Sequence, residues 1–197
     1  MAPIAVPAGL TDVPALEDVL QAAFFDDPVN VFLFPDERSR SWRSALLFRA
    51  LLRHHYLGMR TVWTTADQAG AAMWAPPGHW KLTTGEILRA LPTALRGLGR
   101  RLGESMRFLG EIDRHHPEGP HWYLGVLGTD PPRQGRGVGS ALMAPVLERC
   151  DRDGVPAYLE SSKESNVAFY ARHGFAVTSE LRVRGAPPIY AMWREPS

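Results

Sequence analysis

The chain has 197 residues, 45% of them hydrophobic, which is enough for one sizeable core and short for two, so a single domain spanning residues 1–197 is expected. Its 22 basic and 21 acidic residues leave a formal charge of +1, which excludes a global attraction to nucleic acid or an anionic membrane. The lone Cys150 excludes an intrachain disulfide framework or a cysteine metal cluster, and reads as a small buried hydrophobe. The opening MAPIAVPAGL has no basic leader region, and no window approaches a membrane span, so a soluble cytoplasmic protein is expected.

After a short apolar run at Ile4–Val6, Thr11 can cap a helix reaching about Phe24, with Val13, Leu16, Val19, Leu20 and Ala23 at helical spacing. The stretch FFDDPVNVFLFPD breaks that pattern. Asp36 can cap a second helix, in which Trp42, Ala45, Leu46, Arg49, Leu52 and Tyr56 recur at steps of three or four. MRTVWTT and GAAMWAP read as a hairpin. Residues 83–116 are helical in period but interrupted by Pro92, Gly97, Gly99 and Gly103, which predicts two or three short helices forming a wall or lid. The pairs His54–His55 and His115–His116 read as solvent-facing, and no metal site is expected.

HWYLGVLGT follows as a strand whose interior Gly125 predicts a bulge. VGSALMAPVLERCDRDG reads as a helix closed by Gly154, VPAYLES as a strand, and SNVAFYARHGF as a helix capped by Ser165 or Asn166 and stopped at Gly174. FAVTSELRV and PPIYAMWRE complete a terminal pair of strands. The order strand, helix, strand, helix, strand, strand argues for an α/β sheet that opens near the crossover.

Between the glycine-bearing strand and its helix lies RQGRGVGSAL, with glycines at 135, 137 and 139. A helix start exposes unpaired N–H groups and the positive end of the helix dipole, and glycines let a bulky anion approach the main chain. Arg133 and Arg136 can add charge, or point into solvent. The spacing matches neither a dinucleotide-binding turn nor a triphosphate loop. A glycine-rich turn with no ligand is the plainer alternative.

The pattern Gln134-x-x-Gly137-x-Gly139, followed by ESNVAFYARHGF with Asn166, Phe169, Tyr170 and Gly174–Phe175, resembles the GCN5-related N-acetyltransferases. Residues 120–178 are similar to the puromycin-acetylating branch of that family, although Asp27 stands where that branch carries a tyrosine. The resemblance implies a central mixed sheet of about six or seven strands, splayed at a bulged strand and flanked by helices. It implies acetyl-CoA as co-substrate, no metal, and direct attack by a neutral amine. On this likeness Leu127, Gly128 and Thr129 offer main-chain groups to the pantetheine arm, and one amide stabilises the charge developing on the acetyl oxygen. Arg133, Gln134, Gly135 and Arg136, then Gly137, Val138, Gly139 and Ser140, bind the pyrophosphate. Asn166 contacts the arm or caps its helix, and Tyr170 is the acid for the departing thiolate, with an aromatic core face as its alternative.

Glu160, ending a strand beside the split, is the candidate base or water-holder, with His121 second. Phe25, Asp26, Asp27 and Trp74, together with Glu160, are the candidate acceptor residues, an aromatic wall with acids suited to an amine. The leading expectation is acetylation of a small-molecule primary amine, antibiotic-like or aromatic, by a monomer or homodimer with no nucleic-acid or membrane partner. A protein lysine or N-terminus as acceptor, and an acyl-CoA sensor without turnover, stay open.

Overall fold

The alternating apolar stretches form one mixed sheet whose central strands carry different helices on their two faces. The computed structural model describes residues 2–197. Strands β1 (Ala5–Pro7), β2 (Val62–Thr65), β3 (Gly70–Ala75), β4 (Trp122–Thr129), β5 (Ala157–Ser161), β6 (Ala176–Leu181) and β7 (Ile189–Arg194) lie in the order β1-β2-β3-β4-β5-β7-β6. Every neighbouring pair is antiparallel except β4 with β5. That parallel pair joins through α6 (Val138–Asp153), as a parallel connection requires a crossover.

On one face, α6 packs Val138, Leu142, Val146 and Cys150 against Ala72, Trp74, Trp122, Leu124 and Leu159. On the other, α1 (Val13–Ala23) and α3 (Glu37–Leu51) pack Leu16, Leu20 and Phe48 against Ala71, Met73, Ala75 and Val126. β3 is buried on both sides: Ala72 and Trp74 face α6, and Ala71, Met73 and Ala75 face α1 and α3.

The bulge lies at Gly125. Met73 pairs with Val126 and Trp74 with Leu124, leaving Gly125 as the extra residue. Because side chains alternate with period two, that single insertion changes the phase of the strand. Trp122 and Leu124 face α6, Val126 faces α1 and α3, and Leu127 returns to the α6 side.

Three local expectations are corrected. The first helix is preceded by a 3-10 turn over Leu10–Asp12, and Asp12 rather than Thr11 accepts the Gly9 N–H, at 2.8 Å. The stretch read as a break contains α2 (Pro28–Leu33), started by proline in its first turn and capped by Asp27. Pro92 does not cut its segment: α4 (Thr84–Leu98) runs through it, because Pro92 is exposed and the carbonyl it leaves unpaired is open to water. The chain breaks at Gly99, with φ +52°, before α5 (Leu102–Arg114) begins.

Candidate functional site

β4 and β5 pair only at Trp122–Ala157, Tyr123–Tyr158 and Leu124–Leu159. Beyond Leu124 and Leu159 the two strands part, and Glu160 is the first β5 residue past the last pair. The fork opens into a cleft of about 650 Å³ whose walls come from Leu127–Thr129, the loop before α6, and α7 (Val167–Ala171).

Of the sequence-derived residues, the cleft gathers Leu127, Gly128 and Thr129 from the strand. Gln134, Gly135, Gly137, Val138, Gly139 and Ser140 line its floor, with Asn166, Tyr170 and Asp27 opposite. Gly135 and Gly137 adopt φ of +72° and +82°, the left-handed region that glycine enters without steric cost. No side chain caps α6, and the first helical bond is Ala141 N–H to Gly137 O at 3.0 Å. The N–H groups of Val138, Gly139 and Ser140 therefore precede the ladder. Gly139 has a further reason to be glycine: an added Cβ would stand 3.1 Å from the Phe169 ring, so its missing side chain also admits α7.

Arg133 and Arg136 do not line this cleft. Arg133 is ion-paired to Asp67 on the β2–β3 turn. The cations that do line it, Arg172 and Lys163, were missed, as were Ala23, Phe24 and Phe169. Phe24, not Phe25, reaches the cleft, because adjacent residues at a helix end point about 100° apart. The Phe25 ring lies under the Arg40 guanidinium at 5.0 Å. Trp74 is fully buried in the α6-side core and so forms no part of an open acceptor wall. Asp26 is exposed and pairs with Lys163 at 2.7 Å. Asn166 makes no side-chain cap to α7.

Asp27 is buried, and both its oxygens are engaged. Oδ1 accepts the Val29 N–H at 2.9 Å and the Asn30 N–H at 3.2 Å, while the Ser162 hydroxyl donates to Oδ2. Burial pushes its carboxyl up against the lowering effect of those donors. Together Asp27–Ser162 and Asp26–Lys163 tie the α1–α2 turn to the loop after β5, across the mouth of the fork. Tyr170 is buried on the α6 side, and burial first, then the Asp27 charge, raises its phenol above the ordinary value. It stays protonated throughout the neutral range.

Glu160 lies on the opposite face from Leu159, towards the α1 and α3 side. Its side chain is only 10% exposed. The Tyr123 hydroxyl donates to its Oε2 at 2.7 Å, and its Oε1 has no hydrogen-bond partner. His116 Nδ1 stands 3.6 Å from Oε1. His116 Nε2 meets His121 Nε2 at 2.9 Å, and His121 Nδ1 meets the Gly119 carbonyl at 3.0 Å. The Trp80 ring stacks on His116 at 3.5 Å and 17°. Burial, and then the Glu160 charge, raises the phenols of Tyr56, Tyr123 and Tyr158. His116 is thus buried, contrary to its solvent-facing reading, and so is His55, which pairs with Glu86 at 3.0 Å. His115 and His116 lie in the turn that follows α5, where only His116 faces inward and His115 is exposed.

A forked mixed sheet with a glycine-lined helix start beside it defines an acyltransferase. Residues 94–175 match the acetyltransferase (GNAT) family. The chain is 31% identical over 188 residues to an uncharacterized N-acetyltransferase of Schizosaccharomyces pombe, covering 88% of this chain and 76% of that one. A Corynebacterium glutamicum structure described as histone acetyltransferase HPA2 and related acetyltransferase superposes with a TM-score of 0.77 at 26% identity, over 100% of this chain and 98% of that one. Arylalkylamine N-acetyltransferase 2 of Aedes aegypti shares the fold at a TM-score of 0.63 and 11% identity, over 98% of each chain. The chain belongs to the GNAT family and is an N-acetyltransferase.

Acetyl-CoA is the acetyl donor of this family, and the cleft has what a pyrophosphate requires: three N–H groups ahead of the helical ladder, two positive-φ glycines, and the cations Arg172 and Lys163 on its walls. Among the described residues no helix is long and apolar enough to cross a membrane.

Proposed function

We propose that this cytoplasmic enzyme acetylates the primary amine of a small molecule, antibiotic-like or aromatic, by direct attack. The observation that carries the reading is the enclosure of Glu160: a carboxylate at the fork, walled by Tyr123, His116 and the Trp80 stack, suits a compact amine better than a peptide lying in an open groove. The N–H groups of Val138, Gly139 and Ser140 hold the pyrophosphate with Arg172, and the main chain of Leu127–Thr129, freed by the fork, holds the pantetheine arm with Asn166. Glu160 takes the amine proton from one face of the sheet, and Tyr170 protonates the departing thiolate from the other. Arg133 has no part, since it is held by Asp67. On the acceptor side Phe24 supplies the apolar wall, and Asp27 shapes it through its tie to Ser162.

A thiol-release assay with acetyl-CoA and a panel of aromatic amines, aminonucleosides and lysine peptides tests this reading. Turnover of small amines with inert peptides is expected. Preference for peptides would move the assignment to a protein acceptor, the reading favoured by the description of the Corynebacterium structure. Binding of acetyl-CoA with no release for any acceptor would make the chain a sensor. Tyr170→Phe is expected to lower kcat by about 100-fold with KM little changed. Unchanged turnover would remove Tyr170 from the acid role.

A further inference from the structure

Hydrogen-bond complementarity fixes the tautomers behind Glu160. A carbonyl oxygen only accepts, so His121 Nδ1 must donate to Gly119 O, across 3.0 Å. Neutral His121 then presents a lone pair at Nε2, and the 2.9 Å contact requires His116 Nε2 to be the donor. In neutral His116 the remaining nitrogen, Nδ1, carries a lone pair, and it faces Glu160 Oε1 across 3.6 Å. Two acceptors oppose each other there. That opposition explains both the separation, longer than a hydrogen bond, and the buried Oε1 that lacks any partner.

We propose that His116 is a positioning residue for the base: it stands behind Glu160 to share and hold the proton taken from the amine. The inference rests on Glu160 being that base. As the amine nitrogen forms its bond to the acetyl carbon, its N–H bond breaks and the proton passes to the Glu160 carboxylate. The proton then lies between Oε1 and Nδ1, turning the opposed lone pairs into a hydrogen bond. When Nδ1 takes it, His116 becomes an imidazolium that donates to Glu160 Oε1 and to His121 Nε2; once the product leaves, the proton returns through Glu160 to water at the fork, so both rings regain their starting tautomers. The electron pair of the broken N–H bond stays on nitrogen, and no oxidant or further reactant is needed.

The surroundings suit the task. Trp80 stacked on the His116 ring shields the contact from solvent, and Lys81 Nζ lies 4.7 Å from the Trp80 ring centroid. The other ionisable groups acting on Glu160 or its partners are Tyr56 beside the bulge, Tyr123 on β4, Tyr158 on β5 and Asp113 on α5, which Lys81 opposes. The three phenols are raised and stay neutral, and burial, with the Glu160 charge second, raises Asp113. Burial, then the His116 charge, lowers His121, which keeps its Nε2 a neutral acceptor when His116 holds the proton.

The test uses the full chain, acetyl-CoA and the best amine from the panel, with pH profiles of kcat and kcat/KM. His116→Gln keeps a polar side chain but cannot take up a proton. It is expected to lower kcat roughly tenfold or more, leave KM within about twofold, and move the acid limb to lower pH by about a unit, as the proton-accepting pair becomes a lone carboxylate. His116→Ala is expected to regain activity when imidazole is added, which covers the case in which the Gln variant fails to fold. A uniform loss with an unmoved acid limb and no imidazole rescue would overturn the proposal. Glu160→Gln separates the two levels: if it abolishes turnover while His116→Gln is silent, only the role of His116 falls. If Glu160→Gln is itself silent, Glu160 is not the base and the role of His116 falls with it.

Discussion

Gly125 shows how one missing Cβ sets the geometry of the fork. An added methyl would stand 2.0 Å from the Tyr56 hydroxyl and 3.0 Å from its ring carbon, so a larger residue must displace a buried tyrosine. Gly125→Ala is expected to cost about 2 kcal/mol in chemical denaturation, and Tyr56→Phe in the same chain to recover part of it by removing the nearest atom. An additive loss in the double variant would show that the two positions are not in contact. The bulge was legible from glycine inside an aromatic, β-branched run; the tyrosine that fills it was not, because no local pattern reports which distant side chain meets a given backbone. His116 illustrates the same limit. Its burial depends on Trp80 and Glu160, which come from other parts of the chain. The glycine turn was legible from its spacing, whereas the packing of Gly139 against Phe169 was not, because Phe169 comes from a later helix.

At the level of elements, the helices that announce themselves carry chemical punctuation. Asp36 caps α3 as expected, and Gly154 closes α6 with φ +65°. The six residues of α2 are too few to show a period, and Asp27 looked like a free acid because its cap depends on the turn it makes. In α4 the capping box joins Thr83 and Glu86, and Glu86 also reaches His55 on the five-residue π turn, Leu52–Tyr56, after α3. Burial acts to raise the Glu86 carboxyl, but the Thr83 hydroxyl and N–H and then His55 outweigh it and hold the value down to about 2. A folded value below the unfolded one, about 4.3, contributes stability above the latter and loses it as pH falls towards 2. Glu86→Gln is therefore expected to cost about 1 kcal/mol at pH 7 and distinctly less at pH 3, read from urea midpoints. Equal costs at both pH values would mean that the charge contributes nothing to anchoring α4 over the base.

Over the whole molecule, a crossover near which the sheet opens was implied by the alternation of strands and helices in the last third, whereas the order of the seven strands was not. The acceptor side depends on where α1 ends and how α5 packs on β6 and β7, relations between distant segments that no spacing rule encodes. Donor binding links the two halves, because the cleft takes its walls from Phe24 and Asp27 in the first and from α6 and α7 in the second. A ligand that binds only the folded chain stabilises it by about 2.7 kcal/mol at a hundred times its Kd. For a chain of this size that is a rise in Tm of roughly 5–10 °C with saturating acetyl-CoA. Gly137→Asp separates binding from folding. An added Cβ meets nothing closer than 4.0 Å, aspartate tolerates the left-handed region better than most residues, and a negative charge at a helix start favours the helix. The variant should therefore melt within a few degrees of the parent without ligand, yet lose nearly all of the acetyl-CoA shift, since a carboxylate now occupies the approach to the Val138–Ser140 N–H groups. A full shift in Gly137→Asp would place the pyrophosphate elsewhere and leave the glycine turn as a structural connection between β4 and α6.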